Sequence, residues 1–135
     1  MTISEIAEKS SISITTLRYY EKIGLIPMVP RNSSGIRDYD DTFLVWLELI
    51  QQLKAIGMQL DAIQKYVGLI QYGAASIEVR KELVRAAHDR LRQRIVEMQQ
   101  AIVQADIFLE QGMNKWEALF EKTIKTGGAS GRLAG

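Results

Sequence analysis

Several features that mark other protein classes are missing from this sequence of 135 residues. It contains no cysteine, which excludes disulfide bonds and thiolate metal sites. It has one histidine and neither a phosphate-binding loop nor a cluster of metal-ligand residues, so we expect no enzymatic activity and no cofactor. No apolar run is long enough to cross a bilayer. No signal peptide precedes the first predicted helix, and we expect a cytoplasmic location.

Strong net charge is absent as well, since the formal charge is only +1. A chain that binds nucleic acid is usually strongly basic, and the sequence as a whole lacks this signature. Apolar residues nevertheless make up 47% of the sequence, which is enough for a hydrophobic core and excludes wholesale disorder. The length suits one compact domain, or a small domain with an extended helix.

The start of the chain predicts two short helices joined by a tight turn. Thr2 and Glu5 have the spacing of a capping box, and Ser13 is a good N-cap for the second helix. Gly24 is predicted to end that helix, and Pro27 prevents its resumption. A helix-turn-helix of this kind places its second helix in the major groove of DNA.

The second helix is predicted to have one buried face and one outward face. Leu17 and Tyr20 should face the first helix, while Thr16, Arg18 and Tyr19 face outward. Hydroxyl, guanidinium and aromatic groups suit contacts with phosphates and base edges. The helix pattern alone is equally compatible with a two-helix core fragment that has a solvated polar face.

Residues 30–39 predict a short β-wing that turns at 32–35. Arg31 and Arg37 lie near its two ends, where they could reach the phosphate backbone. From Lys9 to Arg37 the chain carries five basic residues and one acid, so positive charge is concentrated locally. The candidate DNA contacts are Thr15, Thr16, Arg18, Tyr19, Lys22, Arg31, Arg37 and Tyr39.

The segment Leu-Arg-Tyr-Tyr-Glu-Lys-Ile-Gly-Leu-Ile-Pro at 17–27, with Ser-Gly-Ile-Arg-Asp-Tyr-Asp at 34–40, resembles the MerR family of bacterial transcription regulators. The likeness covers the first half of the chain residue by residue and the second half in architecture only. It is closest to the aldehyde- and thiol-stress-responsive branch. It implies a homodimer that binds double-stranded promoter DNA and distorts an over-long spacer in response to a stress or small molecule. RNA polymerase is then an indirect partner.

Two further helices complete the predicted DNA-binding domain, residues 1–72. Asp40 or Asp41 should cap a third helix that ends at Gly57. A fourth helix follows Gln59, where the family usually has Ser or Thr, and this weakens the cap by about 1 kcal/mol.

Residues 76–112 predict a coiled-coil dimerisation helix, which Ser76 can cap and Gly112 ends. Apolar residues alternate at spacings of four and three, which is typical of a coiled-coil seam. Such a helix is roughly 50 Å long and cannot bury its seam on so small a domain, so it needs a partner helix. The family resemblance implies that two copies pair antiparallel. The proposed dimerisation residues are Val84, Leu91, Ile95, Met98, Ile102 and Leu109.

The remaining residues predict a short amphipathic helix, 113–125, and a flexible Gly-rich tail, 126–135. We interpret the helix as a cap on its own dimer in preference to a membrane or partner-binding helix. The predicted fold class is therefore all-α with a small β-wing: a winged helix-turn-helix domain followed by a long antiparallel coiled-coil helix.

The signal is not predicted to act through thiol chemistry. The branch that the sequence resembles has a proposed sensor cysteine in the third helix, and Gln52 occupies the matching position. An amide cannot form a thiolate. Gln52 is either a solvated polar residue or a hydrogen-bonding group for a neutral effector, in a site shared with Trp116 and Phe120 of the other subunit. We interpret His88 as a packed or water-facing residue rather than a metal ligand.

One alternative function belongs to a different class. The chain could be a protein-interaction adaptor that uses the coiled coil and C-terminal helix without binding DNA. Arg18, Tyr19 and Arg37 argue against it, because an adaptor has no need of a basic helix face beside a basic wing.

Overall fold

A computed structural model describes residues 1–125, so the tail predicted for 126–135 lies outside the described residues. The described chain is mainly helical with almost no strand, which confirms the predicted all-α fold class. Its helices are α1 (Ile3–Ser10), α2 (Ile14–Lys22), α3 (Thr42–Ala55), α4 (Leu60–Ile70), α5 (Ile77–Ile107) and α6 (Met113–Lys125). A 3-10 turn, Gly73–Ser76, precedes α5, and a π-helical turn, Phe108–Gly112, follows it. The wing is reduced to one antiparallel bridge between Arg31 and Arg37.

The predicted helix boundaries in the N-terminal half follow from local hydrogen bonds. The Thr2 hydroxyl accepts from the Glu5 N–H at 3.2 Å and so caps α1. The Asp40 carboxylate accepts from the Thr42 N–H at 2.8 Å at the start of α3, whereas Asp41 makes no side-chain cap. Gln59 precedes α4 without a side-chain cap, as expected from its long amide side chain.

Residues Met1–Leu91 form one compact unit around a single apolar core. The side chains that α1, α2 and α3 direct inward are buried, and Ile12 closes the core from the turn between α1 and α2. Tyr39 packs edge-on against Phe43 with ring centroids 5.2 Å apart. The core consists of Ile6, Ile12, Leu17, Tyr20, Leu25, Ile26, Val29, Tyr39, Phe43, Leu47, Ile50, Leu53, Met58, Ile63, Val67 and Ala87.

Two glutamine side chains tie the first two helices to the next two. Gln51 of α3 donates to the Ser10 carbonyl at 3.0 Å, and Gln64 of α4 donates to the Ile23 carbonyl at 3.1 Å. The last carbonyls of a helix have no partner within that helix. These amides therefore satisfy the ends of α1 and α2 from outside and fix both helices on the core.

The junction between α4 and α5 is held by Ser76, which was predicted to cap the following helix. Its hydroxyl is buried and donates back to the Leu69 carbonyl at 2.7 Å. Arg80 Nε donates to the same hydroxyl at 3.0 Å, and the Arg80 guanidinium lies over the Tyr66 ring at 5.5 Å. Ser76 thus joins α5 to α4 and does not act as a simple N-cap.

The second compact unit begins at Arg92, and none of its described residues is buried. A boundary lies at Gly112, and α6 has the bounds predicted for it, but the chain does not break there because it stays helical through the π-helical turn. The glycine explains that turn: a Cβ at Gly112 would lie 2.9 Å from Cδ2 of Phe108. Because Gly112 has no side chain, the Phe108 ring can lie against the backbone at Gly112.

Candidate nucleic-acid interface

The outward face of α2 carries most of the predicted DNA contacts. Thr15, Arg18, Tyr19 and Lys22 are exposed, with Tyr19 47% exposed. Thr16 is half-buried, and its hydroxyl accepts a 2.8 Å hydrogen bond from the Ser13 hydroxyl. The structure thus places a basic and aromatic set of side chains on the surface of α2.

The start of α2 is built by Ser13. Its hydroxyl accepts from the Thr16 N–H at 3.1 Å and so replaces one missing hydrogen bond of the first turn. At the other end, Gly24 adopts φ +74°, and the Leu25 N–H reaches back to the Tyr20 carbonyl at 2.8 Å. Glycine tolerates this left-handed conformation, so α2 stops sharply and the chain turns toward the wing.

The wing is organised by the side chain of Asn32. Its Oδ1 accepts from the N–H groups of Ser34 at 2.9 Å and Ile36 at 3.1 Å. Gly35 takes φ +76°, and Arg31 Nη1 donates to the Gly35 carbonyl at 2.8 Å. Asparagine and glycine therefore define the tip by the turn chemistry expected of them, and Arg31 is held along the wing.

An ion pair connects the wing to α2. Arg37 Nε donates to Glu21 Oε2 at 2.7 Å, with side chains 31% and 18% exposed. The sequence assigned Glu21 no role, although it is the only acid among the five basic residues between Lys9 and Arg37. Glu21 uses one edge of the Arg37 guanidinium and so orients it beside Arg18 and Lys22.

These side chains line an open cleft of about 360 Å³ between α2 and the wing. Its polar lining is formed by Arg18, Lys22, Arg37 and Glu21, a balance of three positive charges to one negative. Opposite charges close together attract more strongly where water is partly displaced. The cleft is therefore suited to an anionic group of the kind found along a nucleic-acid backbone.

Tyr39 does not belong to this surface. The residue is 1% exposed, packs against Phe43, and its hydroxyl has no hydrogen-bond partner within residues 1–125. Burial raises the pKa of the Tyr39 hydroxyl above its usual value, and Glu21 raises it further against the opposing effects of Arg37 and Arg18. The expectation that Tyr39 contacts DNA is corrected, because a wing residue next to the core points inward.

The residues predicted for dimerisation form an exposed apolar row along α5 and into the π-helical turn. Val84, which belongs to the N-terminal unit, is half-buried against its core. The other five are exposed: Leu91 39%, Ile95 56%, Met98 65%, Ile102 61% and Leu109 70%.

The candidate effector residues are exposed within their own helices. Gln52 lies on α3, while Trp116 is 48% exposed and Phe120 52% exposed on α6. His88 is exposed, and its Nδ1 lies 3.2 Å from the Asp89 carboxylate. No group of residues within 1–125 has the composition and geometry to hold a metal ion.

Sequence reasoning missed the roles of Glu21, Gln51 and Gln64. Glu21 is the one acidic residue in a basic segment, and this could have indicated that it pairs with a neighbouring arginine. The two glutamines gave no local signal, because their acceptors lie 41 residues away. None of the described helices combines the length and apolar character needed to span a membrane.

Comparison with known proteins gives matches along most of the chain. The model of the MerR HTH family of regulatory proteins matches residues 1–68, and the model described as "MerR, DNA binding" matches residues 44–104. The transcriptional regulator AdhR of Bacillus subtilis is 38% identical over 91 residues. That match covers 67% of this chain and 65% of AdhR, which is slightly less than two thirds of the relative.

Solved structures match this chain over a longer stretch than AdhR does. A MerR family transcriptional regulator from Listeria monocytogenes is 32% identical with a TM-score of 0.65, covering 93% of this chain and 98% of that one. HiNmlR, described as a MerR family regulator lacking the sensor domain and bound to promoter DNA, is 32% identical with a TM-score of 0.62. Its match covers 93% of this chain and 94% of HiNmlR. On the sequence matches and the shared fold together, this chain belongs to the MerR family of helix-turn-helix regulatory proteins.

Proposed function

We propose that this protein is a homodimeric, sequence-specific transcription regulator that binds promoter DNA in the bacterial cytoplasm. The observation that carries the proposal is the ion pair between Glu21 and Arg37, which joins the wing to α2 beside exposed Arg18 and Tyr19. Two separate elements thereby present one basic surface. No observation favours the alternative of a protein-interaction adaptor.

The proposed DNA contact of each side chain follows from its chemistry. Arg18 and Tyr19 lie on the helix that enters the major groove, where guanidinium and hydroxyl groups meet base edges or phosphates. Arg31 and Arg37 lie on the wing, where they would hold the phosphate backbone. Thr15, Thr16 and Lys22 complete the proposed surface.

The proposed dimer forms through the exposed apolar row of α5. Five large apolar side chains in that row are exposed in the single chain, and such a surface marks an interface. Two DNA-binding units joined by paired α5 helices would bind two half-sites at a fixed spacing. The DNA between the half-sites could then be bent or untwisted, which changes how polymerase meets the promoter.

The proposed signal is a neutral small molecule or a stress that does not act on thiols. The sequence contains no cysteine that could form a thiolate, and Gln52 is an exposed amide on α3. Trp116 and Phe120 offer aromatic surface that suits an apolar ligand. Reporter output is measured in cells exposed to formaldehyde, diamide, Zn²⁺ and apolar compounds. This distinguishes a signal that acts on thiols from a neutral apolar one.

The test of DNA binding begins with recovering the DNA that the protein occupies in cells. Affinity for that fragment is then measured against salt concentration for the unmodified protein and for Arg18→Ala. We expect weaker binding, with the salt slope reduced by about 1 if Arg18 holds a phosphate, or about 1–3 kcal/mol less selectivity at one base if it reads that base.

Lys115→Ala is the matched control, because it removes one positive charge from exposed α6 rather than from α2. Equal effects of the two substitutions would show that only net charge matters and would contradict the proposed surface. Chemical reactivity of the central base pairs, with and without the activating signal, tests the distortion. An undistorted centre under all conditions would indicate simple repression instead.

A further inference from the structure

Met28 is 87% exposed, more than any other large apolar side chain within residues 1–125. It is one of five methionines in a chain that contains no cysteine, so thioethers are the only sulfur groups present. The susceptibility of sulfur to oxidants increases with its exposure. The side chain of Met28 is therefore open to reagents in solution.

The backbone on both sides of Met28 is fixed by the fold. Ile26 is 3% exposed and Val29 is 4% exposed, so the core holds the chain two residues before Met28 and one residue after it. The Pro30 carbonyl then accepts a hydrogen bond from the Asp38 N–H at 2.8 Å. Met28 thus has a fixed place in the molecule although its side chain is solvated.

That place is the open cleft between α2 and the wing. Met28 lines this cleft together with Arg18, Lys22 and Arg37. A guanidinium has five N–H donors, and Glu21 accepts a hydrogen bond from the Nε of Arg37. Donors therefore remain in the cleft for an oxygen atom of another group, and a DNA phosphate is the group proposed above.

Oxidation would change what Met28 offers to these donors. The thioether of methionine is apolar and only a weak acceptor. Its sulfoxide is polar, and the added oxygen can accept a hydrogen bond from a guanidinium. A sulfoxide bound in this way occupies the donors that would otherwise hold a phosphate oxygen.

We propose that Met28 is a site of reversible oxidation through which a two-electron oxidant weakens DNA binding. The oxidised side chain accepts a hydrogen bond from Arg18 or Arg37 and competes with the DNA backbone for it. This inference rests on the DNA surface proposed above and specifies one stress that acts there. It requires no thiol, in keeping with the absence of cysteine.

The reaction balances with hypochlorous acid as the oxidant. A lone pair of the Met28 sulfur attacks the oxygen of the acid, the S–O bond forms, and the O–Cl bond breaks. Chloride leaves with the bonding electron pair, and the hydroxyl proton passes to water. Sulfur loses two electrons, which chlorine gains. Methionine sulfoxide reductases, one for each epimer, restore the thioether.

The other methionines provide internal comparisons. Met58 is 5% exposed in the core and should be oxidised last. Met98 is 65% exposed on α5 and Met113 is 43% exposed on α6, and neither lines the cleft. Oxidation of Met98 could affect the proposed dimer, so the test removes these two thioethers first.

Two variants are compared. The parent carries Met98→Leu and Met113→Leu, which nearly conserve side-chain volume, and the second variant carries Met28→Leu in addition. Both receive the same limiting dose of hypochlorous acid, and peptide masses report the oxidation of each methionine. Fluorescence anisotropy gives the affinity for the recovered DNA fragment before oxidation, after it, and after treatment with methionine sulfoxide reductases.

Oxidation should lower the DNA affinity of the parent by about tenfold, because hydrogen bonds from charged donors to phosphate are lost. The reductases should restore the affinity, and the variant with Met28→Leu should keep its own starting value. Equal losses in the two variants would overturn the proposal, as would a loss that the reductases do not reverse. Oxidation of Met58 before Met28 would also contradict it.

The untreated parent separates this inference from the proposed function. If the parent does not bind the fragment with a salt-dependent affinity, the proposed DNA surface fails, and the regulation fails with it. If the parent binds and complete oxidation of Met28 leaves the affinity unchanged, only the regulation is wrong.

Discussion

The two halves of this molecule are both mainly helical but differ in what stabilises them. Residues Met1–Leu91 enclose an apolar core in which Leu17, Leu47 and Ile63 are fully buried. From Arg92 to Lys125 no side chain is buried, and Trp116 and Ile102 are among the exposed apolar groups. Most helices in proteins depend on tertiary packing for stability. The comparison shows that the second half leaves its apolar surface exposed in the single chain, and this is the surface that the proposed dimer would cover.

A charge in the exposed row should have the largest effect, because it would remove those contacts. Ile95→Asp places a carboxylate in the proposed seam twice per dimer, at a cost of roughly 4 kcal/mol or more. We expect sedimentation to show monomers while circular dichroism still reports a folded N-terminal unit. Gln93→Asp, an exposed change two residues away and off the seam, is the control and should leave the dimer intact. A dimer of unchanged affinity in Ile95→Asp would place the interface elsewhere.

A cavity in the N-terminal core should have the next largest effect. Leu47 is 0% exposed on α3, so Leu47→Ala removes buried methyl groups and leaves a void. We expect the free energy of unfolding to fall by about 3 kcal/mol, measured by urea denaturation. Val45→Ala, on the same helix but 68% exposed, should change it by less than about 0.5 kcal/mol. Similar losses for the two variants would contradict the assigned core.

The smallest effect is expected at Tyr39, where the N-terminal core meets the proposed DNA surface. Tyr39→Phe keeps the ring against Phe43 and removes a buried hydroxyl that has no partner within residues 1–125. We expect stability at neutral pH to stay unchanged or rise by about 1 kcal/mol, with unchanged affinity for the DNA fragment. A clear loss of DNA affinity, with the fold intact, would show that the hydroxyl contacts DNA after all.

The pH dependence of the same variant has a definite sign. Burial raises the pKa of Tyr39 above its usual 10.0, so the folded protein keeps the hydroxyl protonated at pH values where the unfolded chain ionises. Its contribution to stability is present below pH 10 and is lost as the pH rises above that value. The unmodified protein should therefore lose stability above pH 10 more steeply than Tyr39→Phe, as followed by urea unfolding at each pH.

Sequence reasoning succeeded where structure is determined by near neighbours. The cap at Ser13, the end of α2 at Gly24 and the turn at Asn32 all depend on residues a few positions apart, and the structure confirms each. Tyr39 was misplaced because the alternation of a wing does not indicate which of its faces meets the core. Gly112 was predicted to break the helix, whereas the chain stays helical there because the glycine accommodates the Phe108 ring.

Among the candidate DNA contacts, the sequence identified the basic residues but not their arrangement. Arg18 and Arg37 are 19 positions apart, and nothing in the local pattern shows that Glu21 holds one beside the other. Long-range hydrogen bonds of this kind depend on how helices pack, which periodicity alone does not specify. The same limit applies to Gln64, whose acceptor belongs to a different helix.

The hydrogen bond from Gln64 to the carbonyl of Ile23, the C-cap of α2, connects α2 to α4 within the N-terminal unit. Gln64 lies on α4, and two positions further along the same helix Tyr66 stacks under Arg80 of α5. At the same junction the Ser76 hydroxyl donates a hydrogen bond to the Leu69 carbonyl of α4. A tilt of α2 against DNA would thus be transmitted to the base of α5 as a rotation, and a displacement of α5 by a signal would turn α2 in the groove. Coupling between two binding sites is reciprocal, so under the proposed mechanism the protein bound to untwisted DNA should bind the activating signal more tightly than the protein bound to relaxed DNA.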